Sequence, residues 1–107
     1  MKVAIIGYGK MGRTIEALLC ANAADEVVLK IDQHNVNDLR SEAFKSCDVA
    51  IEFSRPEAAV ENLKACFDAG VPVVSGTTGW LDRFDEVKEY CEKKNGTFFY
   101  APNYSIG

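Results

Sequence analysis

The sequence has little of what several kinds of site require. It holds one histidine, His34, and its four cysteines (Cys20, Cys47, Cys66 and Cys91) stand far apart with no Cys-x-x-Cys pair, so a metal site has little support. Cys20, Cys66 and Cys91 fall on expected helices near apolar residues, where a reduced cysteine acts as a small hydrophobe. No basic run exists to neutralise phosphates, and the net charge is −4, which argues against a nucleic-acid partner. No apolar stretch approaches the length of a membrane span, and the N-terminus lacks a signal-peptide pattern, so a cytoplasmic protein without membrane contact is expected. No His–carboxylate or Cys–His arrangement suited to acid–base or nucleophilic chemistry is visible, and no catalytic residue is assigned within the 107 residues.

What the chain does have begins at once. Val3, Ala4, Ile5 and Ile6 form an apolar run that reads as a buried parallel strand. Gly7-x-Gly9-x-x-Gly12 follows directly, and the helical spacing of Met11, Ile15, Leu18 and Leu19 comes after it. In a dinucleotide fingerprint the first glycine makes a tight turn, the second lets the backbone approach a pyrophosphate, and the third lets the helix pack on the strand. The helix N-terminus then offers unpaired N–H groups to the phosphates. A lone fingerprint is weak, but a second strand here (Val27 to Ile31) ends in Asp32, at the distance where an acid holds a ribose hydroxyl.

The rest of the chain alternates short apolar runs with helical patterns, which predicts an α/β, doubly wound fold. Strands are expected at about 2–6, 26–31, 49–53, 71–74 and 97–100, and helices at about 10–22, 38–44, 56–69 and 81–93. The second of these helices is short, and the last is expected to bury Leu81, Phe84, Val87 and Cys91. The connection from strand two to strand three is too short for a further strand. An abbreviated Rossmann fold follows: a parallel five-stranded sheet of order 2-1-3-4-5 with helices on both faces, residues 1–107 making one dinucleotide-binding domain.

Ligands of such sheets lie outside the carboxyl ends of the strands. Those ends are the glycine loop, Asp32, Phe53-Ser54-Arg55-Pro56-Glu57, Ser75-Gly76-Thr77-Thr78-Gly79 and Ala101-Pro102-Asn103-Tyr104-Ser105. Ser54-x-x-Glu57 reads as a capping box with Pro56 in the first turn, which makes Ser54 a helix cap before it is a ligand. Arg55 serves no cap; it either reaches a phosphate or base face or stays in solvent. Thr77 or Thr78 is expected to cap the next helix, while Gly76 and Gly79 imply that the backbone approaches something closely. His34 is either a solvated loop residue or a contact to the adenosine end.

Taken in order, the blocks Gly-Tyr-Gly-Lys-Met-Gly, Phe-Ser-Arg-Pro, Gly-Thr-Thr-Gly-Trp and Ala-Pro-Asn-Tyr-Ser resemble the dihydrodipicolinate reductases, over residues 1–107. The resemblance implies the N-terminal, cofactor-binding domain of an NAD(P)H-dependent reductase of diaminopimelate and lysine biosynthesis. Its substrate would be a cyclic dihydrodipicolinate-type dicarboxylate, and the parent protein would be a tetramer. It implies nucleotide contacts at Gly7, Tyr8, Gly9, Lys10, Met11, Gly12, Asp32, Phe53, Arg55, Gly76, Thr77, Thr78, Ala101, Pro102, Asn103 and Tyr104, with Thr78 also near the substrate. The family's second domain, with its His-His motif, lysine and Ser-Gly-Thr block, has no counterpart in this sequence. The expectation is therefore a domain that binds nucleotide without turnover.

Two other readings compete with it: a stand-alone nucleotide-binding regulatory module, and the cofactor domain of another aspartate-pathway dehydrogenase. The cofactor is expected to be NADH or NADPH, with NADH preferred or both accepted, because Asp32 would repel a 2′-phosphate and is followed by Gln33 in place of a cation.

Overall fold

A computed structural model describes residues 1–7, 14, 17, 21, 24–32 and 34–100 of the chain. The helix expected over 10–22 lies outside the described residues except for Thr14 and Ala17, which are helical, and Ala21, which is in a turn. The described strands are β1 (Lys2–Ile6), β2 (Glu26–Ile31), β3 (Val49–Glu52), β4 (Val73–Ser75) and β5 (Phe98–Tyr100). They form one parallel sheet of order β2-β1-β3-β4-β5, the order expected from the short link between β2 and β3. That link holds a 3₁₀ turn (Val36–Arg40) and a one-turn helix α1 (Glu42–Lys45), in place of the single short helix expected near 38–44. The break between them comes at Ser41, whose hydroxyl accepts the Phe44 N–H at 3.1 Å and restarts the chain as a new helix.

β1 is buried from Val3 to Ile6, as a central parallel strand must be. Helix α2 (Pro56–Ala69) matches the expected bounds. Proline sits at its start, where the missing N–H costs nothing, and Gly70 ends it in the left-handed conformation at φ 73°. Its face of Val60, Leu63 and Phe67 packs on β-strand residues Ala50 and Val73 within one apolar core.

Two expectations need correction. β4 starts at Val73 rather than Val71, because Pro72 has no N–H to give to the ladder. The last helix, α3, runs Phe84–Lys93 behind a separate 3₁₀ turn (Leu81–Arg83). That turn takes Leu81 off the helix face and leaves it 50% exposed, while Trp80 enters the core in its place. Phe84 and Cys91 are only partly buried, and Val87 is the α3 residue that is fully so.

Candidate functional site

The carboxyl ends of β1, β2, β3 and β4 open on the same edge of the sheet, since all four strands run parallel. In this order the chain moves outward from β1 in two directions, to β2 and to β3, so β1 and β3 flank the topological switch point. Gly7 stands there, at the end of β1. Its φ is +88°, and its N–H donates to the Ile31 carbonyl of β2 at 2.6 Å. A Cβ at this position would overlap the carbonyl of Phe53 on the other side. The turn therefore needs glycine twice over, for its left-handed backbone and for the approach of the β3 loop. Tyr8, Gly9, Lys10, Met11 and Gly12 lie outside the described residues, as do Ala101, Pro102, Asn103 and Tyr104.

Asp32 follows β2 and is exposed at the same edge. One carboxylate oxygen accepts the His34 N–H at 2.7 Å, and the Asp32 N–H donates to the Asn35 side chain at 2.7 Å. Asn35 in turn donates to the Lys30 carbonyl at 2.9 Å and to Asp38 at 3.0 Å. These short-range side-chain turns hold the loop without burying it. His34 is exposed.

The loops after β3 and β4 are built differently. Glu52, the last residue of β3, is fully buried, and its partners among the described residues are neutral donors. The Ser75 hydroxyl donates to one carboxylate oxygen at 2.7 Å. The Thr77 hydroxyl lies 2.9 Å from both oxygens, and the Ser54 hydroxyl and N–H reach the second, the latter at 3.1 Å. Asn62 of α2 closes the cluster by donating to the Ser54 hydroxyl at 3.1 Å. Burying a carboxylate is costly, and charge-assisted bonds of this number offset the loss of water. Its negative charge is felt by Cys66, whose thiol is pushed up first by burial and then by Glu52.

This cluster overturns the capping assignments. Ser54 is not the N-cap of α2: Arg55 holds that position, with no side-chain cap bond, because Pro56 begins the helix one residue later than a Ser54 box needs. The Ser54 hydroxyl turns to Glu52 instead. Neither threonine caps the following turn, whose N-cap is Trp80. Thr77 faces inward to Glu52 and Thr78 faces solvent. The Thr77 carbonyl accepts the indole N–H of buried Trp80 at 2.7 Å, and that ring packs on Phe84, Phe98 and Tyr100.

The glycines of this loop are explained by the chain's own packing. A Cβ on Gly76 would collide with the Phe53 ring, and one on Gly79 would lie 2.9 Å from the Pro56 ring. Arg55 is exposed at the start of α2, with its Nε 3.8 Å from Glu57. Gly7, Asp32, Phe53, Arg55, Gly76, Thr77 and Thr78 thus all stand at strand ends on one edge, as the sequence placed them. Glu52 was missed. The available signal was one acid inside the apolar run of a central parallel strand, which must find partners.

A groove on the flank of the sheet is lined by Arg40, Lys45, Lys64, Asp68 and Tyr90. Lys64 is bound to Glu86 and Lys45 to Glu42, and the groove lies away from the strand ends.

A sequence model of the family described as "Dihydrodipicolinate reductase, N-terminus" matches residues 1–104. The 4-hydroxy-tetrahydrodipicolinate reductase of Christiangramia forsetii is 44% identical over 111 residues, which cover 100% of this chain and 44% of that protein. That of Corynebacterium efficiens is 32% identical over 109 residues, covering 99% and 43%. The chain thus spans less than half the length of these curated relatives. Among solved structures, a dipicolinate-bound dihydrodipicolinate reductase from Paenisporosarcina sp. TG-14 superposes with a TM-score of 0.76 at 26% identity, over 99% of this chain and 48% of that one. A Gfo/Idh/MocA family oxidoreductase from Vibrio cholerae reaches the same TM-score at 14% identity and shares the fold.

Proposed function

The chain belongs to the dihydrodipicolinate reductase N-terminal family, and on that footing we propose that it binds NADH or NADPH across the carboxyl edge of its sheet. The observation that carries this reading is the fit of Gly7 at the switch point, closed by Phe53 on one side and bonded to the end of β2 on the other, with Asp32 exposed beside it. The strand order then sets the direction of the cofactor. The adenosine half lies toward Asp32 after β2. The pyrophosphate lies on the Gly7–Gly12 loop, and the nicotinamide lies toward the loops after β3 and β4. Phe53, Arg55, Gly76, Thr77 and Thr78 line that second half, and Ala101, Pro102, Asn103 and Tyr104 extend it past β5. Thr78 is exposed at this edge, which supports its assignment to both nicotinamide and substrate.

In the longer protein this domain supplies hydride for the reduction of a cyclic dihydrodipicolinate-type dicarboxylate in diaminopimelate and lysine biosynthesis. That protein is a soluble cytoplasmic enzyme and a tetramer, and its second domain holds and protonates the substrate. The 107 residues alone bind nucleotide without turnover. NADH binds as tightly as NADPH or a few-fold tighter. A 2′-phosphate about 4 Å from the Asp32 carboxylate would cost roughly 1 kcal/mol in a well-watered site, and Asp32 is exposed.

Titration of the chain with each reduced nucleotide, read by energy transfer from its single tryptophan to the dihydronicotinamide, tests this. Gly9→Val should weaken NADH at least tenfold, and undiminished binding would remove the glycine-loop assignment. NADPH more than tenfold tighter than NADH at pH 8 would overturn the stated preference.

A further inference from the structure

We infer that Glu52 is a positioning residue for the nicotinamide half of the site, acting through Ser54 and Thr77 without touching the cofactor. The inference rests on the nucleotide reading above and adds a residue and a mechanism to it. Glu52 sits on β3 between its register partners Ile6 of β1 and Ser75 of β4, at the centre of the sheet. From there one carboxylate gathers donors from two separate loops: the Ser54 hydroxyl and N–H after β3, and the Ser75 and Thr77 hydroxyls at the end of β4 and beyond it.

The Thr77 hydroxyl is the shared piece. It accepts the Ser54 N–H at 2.8 Å, so its own proton is left to choose among acceptors. Both carboxylate oxygens lie 2.9 Å away and the Ser54 carbonyl lies 3.2 Å away. The charged acceptor is the stronger one. This choice fixes Thr77 facing inward, and the chain direction then turns Thr78 outward to solvent. Below Thr77, the bond from Trp80 to its carbonyl locks the other end of the loop to the aromatic cluster. On the β3 side, the Phe53 ring fills the space that Gly76 leaves.

Remove the charge and the orientation of three hydroxyls is no longer set by one acceptor. A glutamine of the same shape would present an N–H₂ group to hydroxyls that now donate. The loops would remain but would sample more than one arrangement of Thr77 and Thr78. Among the described residues the Asp32 loop is hydrogen-bonded to His34, Asn35, Lys30 and Asp38, apart from the Glu52 cluster. Loss of Glu52 should therefore injure one half of the cofactor site and spare the other.

The test compares the 107-residue chain with Glu52→Gln, using NADH and ADP-ribose as probes, at a temperature where both proteins are fully folded by circular dichroism. NADH affinity should fall about tenfold while ADP-ribose affinity stays within twofold, and the ligand-free Trp80 emission should shift or broaden. Glu52→Asp, which restores the charge, should recover most of the NADH affinity. Equal affinity of Glu52→Gln and the parent chain for NADH would overturn the inference and leave the nucleotide reading standing. An equal loss for both probes would also overturn it, since that outcome marks a general structural role. Failure of the parent chain to bind either probe would bring down both readings. Should Glu52→Gln not fold, Ser75→Ala removes a buried donor to the same carboxylate, one that lines no part of the proposed cofactor site. The same selective loss would then support the inference, and parent-like affinity for both probes would overturn it.

Discussion

Glu52 and Glu86 both collect several short hydrogen bonds, and they do opposite things. Glu86, on α3, receives Arg83 at 2.7 and 2.9 Å and Lys64 of α2 at 2.5 Å. Its carboxyl is held down to about 2, chiefly by the bond from Arg83 and next by that from Lys64. Yet the group is at the surface, where water solvates the ions when they part and salt screens them, so the shift overstates what the contact contributes to folding. Glu52 has no cation among its described partners and no exposure at all. Its bonds cannot be replaced by water, and the buried Ser75 hydroxyl, which donates to the carboxylate at 2.7 Å, loses that acceptor with it. The surface cluster fastens two helices. The buried one sets the geometry of two loops.

Alanine at each position separates the two most sharply. Glu52→Ala takes the carboxylate from the buried Ser75 hydroxyl, leaves Thr77 only its Ser54 partners and opens a cavity. An unpaired buried hydroxyl at about 1–3 kcal/mol and a cavity at about 2 kcal/mol or more together cost about 3 kcal/mol or more. For a domain of this size that lowers the thermal midpoint by roughly 10 °C or more. Glu86→Ala should cost far less. Calorimetry on both variants checks the ranking, and a larger loss for Glu86→Ala would invert the roles of the two clusters.

How far the sequence carried the reading differs between the two clusters for a physical reason. Arg83 and Glu86 are three apart on one expected helix, so their meeting is a local matter of helical spacing. The fold was legible in the same way: apolar runs, Gly70, Pro56 and the short β2–β3 link each acted locally, and together they imposed the strand order. The site's outline followed, because strand ends in a parallel sheet must face one edge. Glu52 was not legible, since its partners Ser75 and Thr77 lie 23 and 25 residues away and face it only once β3 and β4 are in register. Ser54 misled for the same reason. Its local pattern offered a cap, and a buried carboxylate outside that pattern took the hydroxyl. Leu81, expected in the core, is exposed and Trp80 is buried because a 3₁₀ turn, not α-helix, precedes Phe84.

Salt sharpens the contrast. At 1 M the screening length is about 3 Å, so raising the salt from about 0.05 M should narrow the difference in midpoint between the parent chain and Glu86→Ala. The difference between the parent chain and Glu52→Ala should hold, because salt does not reach a buried carboxylate bonded to hydroxyls. Equal narrowing for both would mean that the Glu52 cluster is open to solvent.

The smallest effect is the pH dependence of the Glu86 cluster, and its sign is fixed. The folded value, about 2, lies below the ordinary glutamate value of 4.5, so the folded state holds the proton less readily than the unfolded chain. The contribution is therefore complete above pH 4.5 and fades as the pH falls toward 2. Every other carboxylate also titrates in this range, which hides the effect in the parent chain alone. Glu86→Gln shares all of them, so the difference between its urea midpoint and that of the parent chain isolates the one group. That difference should be constant from about pH 7 to about 5 and then shrink steadily on acidification. A difference that grows as the pH falls would mean that Glu86 is held in its protonated form in the fold, and the ion cluster joining α2 to α3 would have to be abandoned.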